Sequence, residues 1–316
     1  MFLLILFAVH RSANYSGICW PQLADEELTR GMTRFIYISD THMGADQVSL
    51  HQRGYPERMA EILSALKAYL HQQGDIDFLL HGGDMINTMS DEGITAAVKA
   101  FDWDVPVHLA LGNHDLDVPS AVERWLALAP GFFGGSGRPV YTVATEDCRI
   151  HVVPNHWCEE PYYWRDSLQA QFSPDQLTYL AAALDAEPEL PHIVQTHSPV
   201  FGVPEAQTGF AEPFHPVQPA FTADFIELVA GHPNLRCVIG AHNHINMHVV
   251  HEGVHFITSS ALVETPFELK IFEVTPGAMA MSTVSLADSL RFDAVYDDDK
   301  AYAQGREIDR SFADEF

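Results

Sequence analysis

A chain of 316 residues, 47% apolar and 11% aromatic, holds one large domain or two modest ones and can bury a sizeable core. That composition excludes a disordered, collagen-like or disulfide-stapled protein. Forty-three acidic residues against 17 basic ones leave a net charge of −26, which repels phosphate backbones and anionic membranes and argues against general nucleic-acid binding. Eighteen histidines are a surplus for this length, and imidazole is the commonest metal ligand.

Residues 1–9 (MFLLILFAV) look like the apolar region of a signal peptide, but no Lys or Arg precedes them. They are also too short for a bilayer, which needs about 20 residues. Residues 10–31 show no period, so 1–31 reads as an extension outside the working fold, with Met32 the natural start. A signal or anchor, or an integral part of the domain, are the two other readings. No later apolar run reaches membrane length. Cys19, Cys148, Cys158 and Cys237 lack C-x-x-C spacing, which points to reduced thiols and a cytoplasmic protein, or an exported one if 1–9 belong to a signal. Cys237 lies in an apolar run and reads as a small buried hydrophobe.

Residues 34–39 (RFIYIS) form a buried strand ending at Asp40. Over 56–73, Met59, Ile62, Leu63, Leu66 and Leu70 keep the period of an amphipathic helix, which Gly74 closes. A strand at 77–81 runs into Gly82-Gly83-Asp84; a helix (94–101), a strand (105–111) and a helix (120–128) follow. This β-α-β-α-β-α order signals a parallel sheet with helical crossovers. After Pro130 come strands at 140–145 and 149–153, joined by a tight turn. Ser173-Pro174 opens a helix to 184. A strand (192–196), a Pro/Gly-rich connection (198–219), a helix (221–230) and a strand (235–239) come next. Runs at 247–250, 254–258, 269–274 and 280–284 read as mostly antiparallel strands. From Ala287 the chain turns acidic, and Asp297-Asp298-Asp299 marks a solvated tail or surface-lying segment. The domain therefore spans 32–286, followed by an acidic C-terminal extension (287–316). Its class is α/β, with two packed sheets and helices outside.

Five of these strands end in clusters of metal-ligand residue types: Asp40-Thr41-His42, Gly83-Asp84, Gly112-Asn113-His114-Asp115, His197, and Gly240-Ala241-His242-Asn243-His244. A lone Asp-x-His or Gly-Asp is most often just a turn. Five such clusters in this order, each at a strand end, are not explained that way. In open α/β sheets the carboxyl ends of strands converge on one crevice, so the clusters should meet. Two Asp, one Asn and four His are too many donors for one tetrahedral zinc, and no thiolate is among them. Mixed imidazole and carboxylate donors suit Zn, Fe, Mn, Ni or Co. Two ions sharing a carboxylate use the set economically, at the separation of about 3.5–4 Å typical of two-metal hydrolytic sites.

These motifs resemble the calcineurin-like metallophosphoesterases, whose pattern is Asp-x-His, Gly-Asp, Gly-Asn-His-Asp/Glu, His and Gly-His-x-His. The likeness runs over residues 33–285 and is greatest, in size and simplicity, to the class III cyclic-nucleotide phosphodiesterases. It implies two mixed β-sheets packed as a sandwich flanked by helices. It also implies one metal on Asp40, His42, Asp84 and His244 and another on Asp84, Asn113, His197 and His242, with Fe or Mn favoured. His114 would be a non-ligand histidine facing the substrate phosphate, oriented by Asp115. Asn113, His114 and, from the aromatic segment 155–164, His156 are candidate substrate contacts. The chain departs from the pattern at Ala241, where the family places Gly directly before the first His.

The implied reaction is in-line attack on phosphorus by a hydroxide bridging the ions, with His114 stabilising or protonating the leaving oxygen. The expected substrate is a small phosphodiester, a cyclic nucleotide among the candidates. A phosphomonoesterase on the same site and a silent scaffold are the alternatives. His81 and His108 read as core histidines. The 198–219 connection, with Phe201, Phe210, Phe214 and His215, reads as a lid.

Overall fold

The computed structural model describes residues 31–316 apart from 166, 168 and 213. Residues 1–30, including the apolar run 1–9, lie outside the described residues. The first βαβαβα run is β1 (Thr33–Ile38), α1 (Met59–Gln73), β2 (Phe78–His81), α2 (Asp91–Ala100), β3 (Val107–Leu109) and α3 (Ala121–Leu128). Then come β4 (Tyr141–Ala144), β5 (Arg149–Val152), α4 (Pro174–Ala186), β6 (His192–Gln195), the single turn α5 (Glu205–Thr208), α6 (Pro219–Gly231) and β7 (Leu235–Gly240). The chain ends through β8 (Met247–His251), β9 (Val254–Thr258), β10 (Glu268–Thr275), β11 (Ala278–Ser285), α7 (Glu307–Arg310) and β12 (Ser311–Glu315).

The strands form two six-stranded sheets, ordered β12-β11-β10-β1-β2-β3 and β4-β5-β6-β7-β9-β8. β1, β2 and β3 are mutually parallel, as are β5, β6, β7 and β9, while the outer strands pair antiparallel. The period of 2 along β1 separates the two cores. Phe35 and Tyr37 pack between the sheets with Phe78, Leu80, Ile193 and Ile239, whereas Ile36 and Ile38 pack with helix residues such as Ile62 and Leu66. Phe35 stacks between Phe78 and Phe272, at centroid separations of 5.2 and 4.9 Å. Cys237 is buried in the inter-sheet core, a small hydrophobe as its apolar run implies. α1 buries Met59, Ile62, Leu63, Leu66 and Leu70, and Gly74 caps it at φ 75°. α4 opens with a capping box between Ser173 and Gln176.

The last four strand runs are mostly antiparallel, as expected, the exception being the pairing of β9 parallel to β7 beside its antiparallel hairpin with β8. The acidic C-terminal segment is no detached tail. β12 pairs with β11 as the outermost strand, and Arg310 bonds the buried Glu268, which also accepts from Asn246 and Ser260. Composition misleads there because most of its acids face solvent while a few residues, the buried Asp309 among them, anchor it. Arg310→Ala should lower unfolding free energy by about 1.5–3 kcal/mol, the worth of a hydrogen bond to a charged group. Urea denaturation measures this, and an unchanged midpoint would show that the segment docks without Arg310.

Candidate metal centre

Past the end of β1 the backbone keeps pairing with the chain beyond β2. Asp40 N–H donates to Gly83 O at 3.0 Å and His42 N–H to Asp84 O at 2.9 Å. At these positions the backbone is left-handed: φ is 52° at Asp40, 43° at His42 and 51° at Asp84. His242 and His244, after β7, repeat this at 68° and 55°. Non-glycine residues rarely accept positive φ, at about 1–3 kcal/mol each, and such strain gathers where function demands it. Gly83 and Gly112 make room. A Cβ on Gly112 would lie 2.3 Å from Asp84 Oδ1, and one on Gly83 would lie 2.5 Å from His197 Nδ1.

The donors fall into two groups that meet at Asp84 Oδ2. In the first, His244 Nε2 is 3.5 Å from Asp40 Oδ1 and 3.3 Å from His42 Nε2, which is 3.9 Å from Asp84 Oδ2. In the second, His197 Nε2 is 3.3 Å from Asp84 Oδ2 and 3.2 Å from Asn113 Oδ1, which is 2.9 Å from His242 Nδ1. Metal–donor bonds of about 2.0–2.2 Å set tetrahedral ligands about 3.3–3.6 Å apart, and the observed spacings of 2.9–3.9 Å bracket that range. Asp40 makes the stronger case: it is fully buried, and neither carboxylate oxygen has a hydrogen-bond partner. A buried carboxylate in that state costs several kcal/mol unless a cation faces it.

The charges follow the same logic. Burial opposes ionisation of Asp84, yet His197, His114 and His42 outweigh it and hold the carboxyl well below its usual range. Burial likewise opposes Asp40, and His244 overrides it to bring the carboxyl to about 2. The same pairings overcome burial to lift His197 to about 9, chiefly through Asp84, and His244 to about 10, chiefly through Asp40. Burial pushes His42 down to about 4 and His242 to about 3. Two imidazoliums thus face three buried carboxylates, Asp84, Asp40 and Glu264, and a metal ion must displace their protons to bind.

A surrounding layer orients these donors. His197 donates from Nδ1 to Gly82 O at 2.7 Å, which leaves Nε2 as the free donor atom. His244 Nδ1 faces Glu264 Oε1 at 3.0 Å, and Glu264 also accepts from Leu50 and Gln52 N–H at 2.6 and 2.9 Å. Asn155 Oδ1 accepts from the Thr196 hydroxyl and from the N–H groups of His197 and Ser198. Trp157 packs on His242 at 5.2 Å. Under the site, Tyr37 O–H crosses between the sheets to Gly240 O at 2.9 Å.

All seven residues expected from sequence therefore converge: Asp40, His42, Asp84, Asn113, His197, His242 and His244. His114 joins them at the mouth. Its backbone N–H donates to Asp84 Oδ1 at 2.8 Å, and its side chain can bring a donor atom within 4.8 Å of those of His42 and Asp84. Asp115 departs from expectation. It does not orient His114; its buried carboxylate accepts the N–H groups of Gly112, Ile86 and Met85 and ties the turn to the end of β2. The His114 ring donates from Nδ1 to Asn87 O at 2.7 Å instead. His156 also departs: it packs on Tyr162 at 4.3 Å and lines a separate cleft with Arg138 and Tyr179. From the same aromatic segment it is Trp164 that reaches the metal cleft, 5.2 Å from the His114 ring. His81 is a core histidine bonded to Thr41.

Glu264 and Asn87 escaped sequence reasoning, since no motif marks them, and Asn155, within the aromatic segment 155–164, braces the turn at His197 instead of facing substrate. Glu264→Gln keeps the side-chain volume and removes the charge behind His244. It should weaken metal affinity about 10–100-fold, the usual effect of losing a residue that orients a ligand. Competition with a chelator reads this, and wild-type affinity would make Glu264 purely structural.

Residues 33–246 match the family described as calcineurin-like phosphoesterase. No curated protein matches the chain in sequence. Among solved structures, a dimetal phosphatase from Danio rerio superposes with TM-score 0.59 at 17% identity, covering 80% of this chain and 96% of the other. GAP50, the anchor in the inner membrane complex of Plasmodium, superposes with TM-score 0.57 at 10% identity, covering 84% and 89%. At such identities the likeness is one of fold. Among the described residues no helix is long and apolar enough to cross a membrane. Carrying the family's sequence pattern on the family's fold, the chain belongs to the calcineurin-like phosphoesterases, two-metal hydrolases of phosphate esters.

Proposed function

We propose that the protein hydrolyses small phosphodiesters. In this reading Asp40, His42, Asp84 and His244 hold one metal, and Asp84, Asn113, His197 and His242 hold the other. The observation that carries the diester preference is a wall without Lys or Arg among its described residues. No Lys or Arg is among the described residues lining the metal cleft of about 370 Å³. The same holds for the neighbouring cleft of about 720 Å³, which shares His215 and His242 with it. A phosphomonoester brings about −1.5 to −2 charges at neutral pH. A diester brings one charge and a second organic arm, which the neighbouring cleft has room for. In a chain of net charge −26, a second substrate charge would meet no Lys or Arg among the described residues of this wall.

When bound, two metal ions supply Lewis acidity towards the phosphoryl oxygens and acidify water as the nucleophile. The chain's own residues hold the substrate around that chemistry. With Nδ1 committed to the Asn87 carbonyl, His114 turns its other nitrogen to a substrate oxygen, and Trp164 backs the ring against rotation. Asp115 positions the turn that carries Asn113 and His114. Oxygen and nitrogen donors without thiolate suit Mn or Fe.

Asp84→Ala should strip both metals, whereas Asn113→Ala should retain one. Elemental analysis of both variants checks this, and two metals retained in Asp84→Ala would refute the shared-ligand reading.

His114→Ala should keep both metals and lose about 10²–10⁴-fold in turnover, the range for a proton-transfer group. With Mn²⁺ and matched loading, a diester should be hydrolysed faster than a monoester of the same alcohol. The reverse order would make the protein a phosphomonoesterase, and two bound metals without turnover on either would make it a binding protein.

A further inference from the structure

The connection between β6 and α6 carries a histidine that the ligand set does not use. His215 lines both the metal cleft and its larger neighbour, a place it shares with His242. Its backbone is left-handed, at φ 49°, as at five of the ligands. One face of its ring is tied down: Nε2 lies 3.2 Å from His51 Nε2, which lies 2.9 Å from the carbonyl oxygen of Asn243. A carbonyl can only accept, so His51 carries its hydrogen on Nε2, and His215 Nε2 is left to accept. On the far side of the His51 ring, Nδ1 then accepts from the Tyr302 hydroxyl at 3.3 Å. The neutral His215 ring must therefore hold its proton on Nδ1, and among the described residues that Nδ1–H has no acceptor.

We propose that His215 is a further catalytic residue, which donates a hydrogen bond from Nδ1 to the substrate where it passes from the metal cleft into the neighbouring one. His51 and Tyr302 are positioning residues that set its tautomer. The inference rests on the phosphodiesterase reading and narrows the substrate class. Gln169, Ser198, Gln218 and Asn243 line the neighbouring cleft, and the buried amide nitrogen of Asn243 lacks an acceptor. The arm that enters is uncharged and bears hydroxyl or carbonyl oxygens. The C-terminal segment holds the connection over the site, for Phe214 packs on Tyr302 at 5.4 Å and on His51 at 5.5 Å.

The test uses full-length protein loaded with Mn²⁺ and a phosphodiester with a hydroxylated alkyl arm. His215→Ala should keep both metals and the wild-type melting point and lose about 10–100-fold in kcat/KM. His215→Asn places an amide N–H near the Nδ1 position and should recover most of that loss. His215→Gln, whose amide reaches the Nε2 position, should not. Nitrogen-15 spectra of the histidine rings should show the Nδ1–H form of His215 in the wild type. Tyr302→Phe, which keeps the ring packing, should disturb the His51 tautomer and lower kcat/KM several-fold. A wild-type His215 with its proton on Nε2, or His215→Ala within twofold of wild type, overturns the inference while the phosphodiesterase reading stands. Failure of the wild type to turn over any diester with two metals bound overturns both.

Discussion

The buried carboxylate of Asp84 is the constraint on which the site turns. It faces His197 on one side and His42 on the other, and its second oxygen accepts the backbone N–H of His114. An acid so placed requires cations around it, and it requires a backbone that brings it there. Both demands reach far into the fold. The left-handed residues beyond β1, β2 and β7 are each unfavourable alone, and continued pairing between neighbouring segments past the strand ends over-determines them. The glycines before Asp84 and Asn113 are needed for the same reason: any Cβ there would strike Asp84 or His197.

Why the sandwich tolerates such strain can be traced residue by residue. Phe35 and Tyr37 lock β1 into the inter-sheet core, and the Tyr37 hydroxyl reaches the last residue of β7. Gln195 and His197, from the second sheet, bond the carbonyls of His81 and Gly82 in the first. The two halves of the donor set are thus joined by the same contacts that close the sandwich. Rigidity at the site comes from the core beneath it and does not depend on a bound ion alone.

The candidate ligand motifs were legible in the sequence because each combines a strand pattern with an abrupt change to Asp, Asn or His. A buried strand that ends so sharply has to deliver those side chains somewhere, and parallel topology delivers them together. Asp115 was misread because adjacency in sequence suggested contact with His114. In a tight 3-10 turn, neighbouring side chains diverge, and Asp115 points back to three backbone N–H groups. His156 shares its segment with Trp157 and Trp164, and sequence cannot say which aromatic faces which cleft. Glu264 comes from an irregular stretch between β9 and β10, and only tertiary structure places it behind His244. β12 was lost in acidic composition, since an edge strand half open to water shows little period.

The acidic surface and the site impose opposite demands, and the architecture separates them. Exposed carboxylates act through water, where charges are largely screened beyond about 8–10 Å at physiological salt. Asp40, Asp84 and Glu264 act on their histidines at contact distance in a buried environment, where the same charge counts for far more. A chain can therefore be strongly acidic as a whole and still hold a local cationic centre for phosphate. In the proposed reading, the clefts around that centre set what accompanies the phosphate. With no Lys or Arg among the described lining residues, selection at this wall would, in that reading, rest on hydrogen bonds from groups such as His114 and Asn243 and on the aromatic face of Trp164. Directional bonds discriminate among oxygen-bearing arms in a way that a diffuse charge cannot.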